Sequence, residues 1–400
     1  MSYQLSTKPP SIQMDPISKD LNRWISILLT VWRRRRKYKN GPSDRLLPNE
    51  LKEVAAGVKT LSSGLTGKRE LVGKGYMDDP ALLGAYLLFY WPVSYAQARY
   101  VLGHLPSRPR SVLDLGSGPA PMSFASLDHG ASEVVAADRS EPALRLAAEL
   151  AGEAGEPLAV RGWDPLRGDR IPDGSFDLVI MGHLLNELWV DDRDEAGKIY
   201  DLIERVSGSL RKGGAVAIIE PALLLTSRRL LGIRDILVKR GFPVLAPCLF
   251  KEDCPALKKE GNTCHTDRSW EPPMMVKEVA KAAGINKDAL KMSFLAVAPK
   301  DVKWPFLPEG RIFRIVSEVL ESNKRLRLMG CGPEGRIGLS FMERNMTDDN
   351  SIFLRLKRGD VVRITGGEER ESGIGLTEKS RITILAHAGK PLPEPWEIKG

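Results

Sequence analysis

Ser111-Val112-Leu113-Asp114-Leu115-Gly116-Ser117-Gly118-Pro119-Ala120-Pro121 is a short apolar run that ends on an acid, turns through two glycines and enters the stretch Met122 to His129. The pattern predicts strand, tight turn and helix. Glycine suits such a turn because a Cβ would hold the backbone away from a ligand, and the free N–H groups opening the helix favour anionic or polar ligand atoms. A second apolar run, Glu133-Val134-Val135-Ala136-Ala137, closes on Asp138. It stands about 20 residues past the turn, where a nucleotide-binding fold places the acid that holds ribose hydroxyls. An ordinary βα turn with no ligand shares these features, so the ligand must be read from detail. The third glycine of the dinucleotide pattern is missing, because Pro119-Ala120-Pro121 follows, and a pyrophosphate has less reason to sit here. Asp114, before the first glycine, suits a cationic ligand instead.

The Asp-x-Gly-x-Gly order resembles the first motif of the class I S-adenosylmethionine methyltransferases, which implies that Asp114, Gly116 and Gly118 face the amino-acid end of that cofactor and Asp138 its ribose. The downstream pattern continues the same α/β, Rossmann-like alternation. A third strand, Leu158 to Val160, leads to Arg161-Gly162-Trp163-Asp164-Pro165, where the resemblance implies that Asp164 meets the adenine amino group. The fourth, Asp177 to Met181, runs into Gly182-His183-Leu184-Leu185-Asn186-Glu187-Leu188. His183 and Asn186 are candidate pocket residues there, with structural hydrogen bonding as the alternative. Lys212-Gly213-Gly214 then turns into a fifth strand, Ala215 to Ile219. The Asn/Asp-Pro-Pro-Tyr/Phe turn that accompanies methylation of base amines is replaced by Gly182-His183-Leu184-Leu185, and Cys248 lies far downstream of strand four for a carbon-methylating nucleophile. No catalytic residue is assigned.

Composition bounds the remainder. The 400 residues, 42% hydrophobic, suffice for two or three domains with a sizeable core, and a formal charge of +8 points weakly to an anionic partner. Trp24 to Trp32 is too short to span a bilayer and Ala81 to Trp91 is stopped by Pro92. Asp15 and Asp20 sit where a signal peptide would be apolar, so a cytoplasmic protein with no membrane partner is expected. Residues 1–20 look loose. Leu21 to Lys39 reads as a helix ending in Arg33-Arg34-Arg35-Arg36-Lys37-Tyr38-Lys39, which suits either a phosphate backbone or a solvated helix end. Leu46 to Leu65 continues as helix, and the aromatics of Tyr86 to Tyr95 read as packing that docks these helices on the sheet.

All four cysteines fall at or beyond the end of the sheet: Cys248, Cys254 and Cys264 in one short loop, and Cys331 in Gly330-Cys331-Gly332-Pro333-Glu334-Gly335. Four thiolates can hold an iron–sulfur cluster or a zinc ion, although the five, nine and sixty-six intervening residues match neither paired zinc knuckles nor a ferredoxin run. Unrelated buried cysteines are the plain alternative. Beyond Lys303-Trp304-Pro305-Phe306-Leu307-Pro308, the sequence predicts a helix at Arg311 to Leu320 and short strands at Arg325 to Met329, Ile337 to Phe341, Ile352 to Leu356, Val361 to Thr365 and Arg381 to Ala386. With Arg355, Lys357, Arg358 and Arg363 nearby, this suggests a small β-barrel-like module able to meet RNA backbone, or a β appendage with a charged face.

Ala-Pro-Cys at Ala246 to Cys248, Cys254-Pro255, Cys264-His265, the Cys-Gly-Pro-Glu-Gly turn at Cys331 to Gly335 and His183-Leu184-Leu185-Asn186-Glu187-Leu188 together resemble the methyltransferase-like assembly factors of the mitochondrial small ribosomal subunit and their prokaryotic relatives, from about Tyr86 to Val362. The resemblance implies a class I methyltransferase fold carrying S-adenosylmethionine. It also implies a four-iron, four-sulfur [4Fe-4S] cluster on Cys248, Cys254, Cys264 and Cys331, with zinc as the alternative. The implied partner is the small ribosomal subunit and its rRNA during ribosome assembly or translation, with no DNA expected. Three roles follow: an rRNA methyltransferase, a non-catalytic assembly factor using the fold as an RNA-binding platform, and a small-molecule methyltransferase with a zinc-stabilised insertion. The expected division is a basic helical extension over 1–80, a methyltransferase-like domain over 81–300 with a Cys-rich insertion at 246–270, and a small β-rich domain over 301–400.

Overall fold

The computed structural model of the chain describes residues 16–371 and 373–392. The glycine-turn region builds the centre of an eight-stranded sheet. Its strands are β1 (Ser111–Leu115), β2 (Glu133–Asp138), β3 (Ala159–Gly162), β4 (Phe176–Gly182), β5 (Leu210–Pro221), β6 (Val244–Ala246), β7 (Thr266–Ser269) and β8 (Ala289–Val297). They run in the order β3-β2-β1-β4-β5-β8-β6, with β7 also on β8. Pairing is parallel from β3 through β5, and β8 turns antiparallel against β5, β6 and β7. Side chains alternate between two cores, as the strand period requires: Val112, Leu178 and Ile180 face one, and Leu113, Val179 and Met181 the other. This is an α/β, Rossmann-like sheet. The strand β8 and its reversed direction were not legible in the sequence, and the Cys-rich loop contributes β6 and β7 to it.

Nine helices over the described residues cover the two faces: α1 (Pro16–Arg36), α2 (Pro48–Ser62), α3 (Pro80–Ala85), α4 (Trp91–Leu102), α5 (Pro121–Asp128), α6 (Glu141–Ala154), α7 (Glu195–Ser207), α8 (Leu224–Lys239) and α9 (Met274–Ala283). Their starts are locally encoded. Asp79 accepts from the Ala81 and Leu82 N–H groups at 2.7 and 3.0 Å to cap α3, and Ser140 caps α6. Pro16 to Asp20, expected to be loose, form the first turns of α1; the rest of that expectation, residues 1–15, lies outside the described residues. The arginine run that ends α1 is exposed beyond Arg33, and its four arginines are each paired with a carboxylate. Arg33 is buried against Glu50 at 2.9 Å, Arg34 and Arg35 reach Glu153 and Glu149 of α6, and Arg36 pairs with Glu53. Trp91 Nε1 donates to the Pro119 carbonyl at 2.9 Å, and its ring lies 5.3 Å from that of Trp24, which bears out the docking role of this aromatic segment. No described helix is long and apolar enough to cross a membrane.

A second eight-stranded sheet follows: β9 (Arg311–Ile315), β10 (Leu320–Ser322), β11 (Arg325–Gly332), β12 (Gly335–Met342), β13 (Val361–Thr365), β14 (Glu368–Arg370), β15 (Gly373–Leu376) and β16 (Arg381–Ala386). Its path is β14-β15-β12-β11-β9-β13-β16, with β10 on β11. Two expectations need correction. The helix expected at Arg311 to Leu320 is β9 and β10: Ile312 packs with Leu249 and Val361 on one side while Phe313 and Ile315 enter a separate core, and a strand buried on both faces has an apolar run that periodicity cannot tell from a helix. Ile352 to Leu356 falls on a short helical turn, Ser351–Arg355, held by the buried Asn350, whose Nδ2 donates to the Asn345 and Thr377 carbonyls.

Candidate functional site

At the carboxyl ends of β1, β2 and β4 the sheet opens into a cleft of about 690 Å³, open mouth included. Gly116, Asp138, Asp164 and His183 line it, with Trp163 between two of them. Asp138 Oδ2 accepts the Gly118 N–H and its Oδ1 the Ser140 N–H, both at 2.8 Å, and desolvation raises its pKa against these two N–H donors. The turn takes left-handed φ values at Gly116 (+70°) and Gly118 (+53°), which favour glycine at both, and at Gly116 a Cβ would also strike Leu184 Cδ1 at 2.7 Å.

Asp114, Gly118 and Asn186 stand outside the lining. Asp114 is buried and accepts from Ser123 Oγ at 2.7 Å; desolvation pushes its pKa up to about 7. Asp164 caps the turn after β3, accepting the Leu166 N–H at 3.0 Å. Asn186 Nδ2 donates to the His183 carbonyl at 2.8 Å, and its Oδ1 accepts from Arg69. His183 adopts a positive φ of 57°, pairs through Nε2 with Gln97 Oε1 at 3.0 Å, and burial drives its pKa down to about 4, so the ring is neutral. Its Nδ1, like Trp163 Nε1, is buried without a hydrogen-bond partner among the described residues.

Sequence reading missed one wall of the cleft, which comes from the segment before α3. Lys74, Gly75, Tyr76 and Met77 all line it. Arg139 holds this strap by donating to the Gly73 carbonyl at 2.9 Å, Ser140 Oγ donates to Asp78, and Tyr76 OH donates to Glu187 at 3.3 Å. Desolvation raises Glu187 to about 7. Tyr76, Tyr86, His183 and Glu187 also line a second cleft of about 1010 Å³, so the two openings share a wall. No local motif marks the strap; only the tertiary fold brings it over the turn.

The cysteines meet on the far side of β8. Cys248, Cys264 and Cys331 line a cavity of about 700 Å³ together with Arg234, Arg314 and Arg358. Cys254 is buried beside Cys264. Desolvation raises the thiols of Cys254 to about 11 and of Cys264 to about 12, and raises Cys331 as well; the charge of Cys248 adds to the rise at all three. Cys331 thus shares a cavity with Cys248 and Cys264 across sixty-six residues of intervening chain, and Cys254 packs beside Cys264. All four are free thiols. Among the described residues no group of three or more His, Cys, Asp or Glu side chains is placed to hold a single metal ion.

Comparison with known proteins matches residues 83–352 to the family model described as mitochondrial small ribosomal subunit Rsm22. No curated protein matches the chain. Similar solved structures include a ribosomal protein L11 methylase from Lactobacillus delbrueckii subsp. bulgaricus, at 18% identity over 52% of this chain and 77% of that one with a TM-score of 0.31. A methyltransferase from Pyrococcus furiosus is 14% identical over 51% of this chain and 81% of its own, with a TM-score of 0.33. An S-adenosylmethionine-dependent methyltransferase from Mesorhizobium loti is 25% identical over 33% of this chain and 55% of its own, with a TM-score of 0.25. The family match takes in the cleft from β1 to β5 and all four cysteines, and the chain belongs to the Rsm22 family of the mitochondrial small ribosomal subunit.

Proposed function

We propose that the chain binds S-adenosylmethionine in the cleft at Asp138 and acts on the small ribosomal subunit, methylating its rRNA or, in the alternative, using the fold as an RNA-binding platform. The observation that carries this reading is Asp138, its oxygens each engaged by one loop N–H beside an open cleft, with acceptor capacity left for ribose hydroxyls. Trp163 and Asp164 suit the adenine, and His183 with its free Nδ1 stands at the wall shared with the second cleft. Asp114, Gly118 and Asn186 shape the loop behind them. The cofactor, when bound, supplies an electrophilic methyl; the residues here align its neighbours and exclude water. The neutral His183 and the carboxyl of Glu187 border both clefts and are placed to hold a proton near an acceptor.

The second part of the reading is a four-cysteine iron–sulfur centre on Cys248, Cys254, Cys264 and Cys331. Three thiols on the walls of one cavity, with Cys254 packed beside Cys264, are a soft donor set of the number a multi-iron core takes. Such a centre would tie the Cys-rich segment at 246–270 to a small β-rich domain over 301–400, beside a methyltransferase-like domain over 81–300 and a helical extension over 1–80. We place the protein in the cytoplasm.

One preparation tests both parts. Full-length protein purified without oxygen is assayed for iron, acid-labile sulfide and zinc, titrated calorimetrically with S-adenosylmethionine, and incubated with methyl-labelled cofactor and immature small-subunit RNA. Cofactor binding with label transfer supports the enzyme, binding or RNA crosslinking without transfer supports the platform, and zinc without sulfide or RNA supports a small-molecule methyltransferase. Absence of cofactor binding overturns the cleft assignment.

A further inference from the structure

Arg314 is a buried arginine, 9% exposed, with no carboxylate within ion-pairing distance among the described residues. Its Nη1 donates to the Gly359 carbonyl at 2.8 Å and its Nε has no partner. Burying a cation uncompensated costs several kcal/mol, so a buried arginine of this kind marks a missing or unconventional anion. The sheet register says where that anion is. Arg314 of β9 stands directly opposite Cys331 of β11, and Cys331 stands directly opposite Arg336 of β12. Residues in register share a face of the sheet, so one transverse row reads Arg314, Cys331, Arg336. Arg336 reaches on to the Thr263 carbonyl at 3.4 Å, next to Cys264. The other cations of the cavity have carboxylate partners, Arg358 with Glu318 and Arg234 with Asp235, although Arg234 also faces Cys248 and Cys254.

We propose that the Arg314–Cys331–Arg336 row is the built-in counter-charge of the sulfur centre, with Arg314 the positioning residue that sets how firmly that centre is held and how readily it accepts an electron. The inference rests on the iron–sulfur reading. Four thiolates around a four-iron core leave a net negative charge that grows by one on one-electron reduction, so a fixed cation beside one ligand stabilises the centre and its reduced form more.

The test uses anaerobic full-length protein, wild type against Arg314→Met, Arg314→Lys and Arg336→Met, with chelator-release kinetics and a dithionite-poised potentiometric titration followed by the visible band and the electron paramagnetic resonance signal of the reduced centre. Arg314→Met is expected to release iron about tenfold faster and to shift the midpoint potential to more negative values. Arg336→Met is expected to shift it in the same sense by less. Arg314→Lys, which keeps the charge but loses the hydrogen bond to Gly359, is expected to restore the potential; a merely structural role predicts that lysine fails as methionine does. Wild-type potential and release rate in both methionine variants overturn the inference while leaving the centre intact. Should Arg314→Met not fold, Arg336→Met and Arg314→Lys decide alone. A wild type without iron and sulfide overturns the centre and this inference together.

Discussion

Asp138→Ala is the sharpest perturbation of the cofactor cleft. In the native loop each carboxylate oxygen takes one backbone N–H, from Gly118 and from Ser140, at 2.8 Å. Ser140 lines the cleft, where water can replace the lost acceptor, whereas the buried Gly118 N–H loses its partner, which is expected to cost about 1–2 kcal/mol of stability. What water does not replace is a charged acceptor for two ribose hydroxyls. A hydrogen bond to a charged group contributes about 1.5 kcal/mol at the low end, so two give about 3 kcal/mol. That corresponds to about 100-fold in dissociation constant. Titration calorimetry of wild type and variant with S-adenosylmethionine reads it directly, and thermal melting of the ligand-free proteins checks that both are folded. Asp114→Asn is the internal control. Its carboxyl lies under Ser123 and outside the lining, so its affinity stays within a few-fold of wild type. An Asp138→Ala variant that binds the cofactor within about threefold of wild type refutes the placement of the ribose, whatever Asp114→Asn does.

Three more outcomes follow from single interactions. Asp128 accepts Arg23 Nη2, Trp24 Nε1 and Tyr95 OH, each at 2.6 Å, so Asp128→Ala strands two mostly buried donors and is expected to lower stability by about 3 kcal/mol, read as a fall in urea midpoint. Desolvation holds the Glu220 carboxyl at about 8 against an ordinary value of 4.5. Between those values the native state keeps a proton that the unfolded chain has lost, so stability falls as pH rises, with a slope approaching about 1.4 kcal/mol per pH unit for one proton. Glu220→Gln removes that penalty, and the urea midpoint of the variant should gain on wild type between pH 5 and pH 9; an unchanged difference sinks the assignment. A Cβ at Gly332 would lie 1.9 Å from the Ile312 carbonyl oxygen, so Gly332→Ala must push β9 from β11 at Cys331, costing more than about 2 kcal/mol by thermal melting.

The glycine turn announced the first sheet because its device is local: strand, two positive-φ glycines, helix and a following acid all lie within a few dozen residues. The same locality explains why Asp138 and Asp164 were found, and why their exact duties were not. Asp164 spends its carboxylate on the Leu166 N–H, and Asn186 spends its amide on its own neighbourhood, a choice that depends on backbone geometry that the pattern does not encode. The strap at Lys74 to Met77 was illegible because it carries no turn motif of its own and reaches the cleft through Arg139 and Ser140, far along the chain. The strand at Arg311 to Ile315 was misread because both of its faces are buried, which erases the alternation that marks a half-exposed strand.

The two sites are built on one strand pair. Glu220 of β5 and Ser293 of β8 are register partners. On the cleft side Glu220 Oε1 accepts the Leu185 N–H at 2.9 Å, fixing the loop that carries His183 and Glu187. Beside it Ser293 Oγ donates to the Cys264 carbonyl at 3.0 Å and accepts from Ser227 Oγ at 2.7 Å, fixing the cysteine loop to β8 and α8. A displacement of Cys264 is therefore felt at the β5–β8 pairing before it reaches solvent, and a packed sheet passes on such shifts because it has little room to absorb them. The cysteine-lined cavity and the cleft at the tips of β1, β2 and β4 thus share the β5–β8 pair: Cys331, from the second sheet, lines the cavity against the same β8 whose one edge pairs with β5.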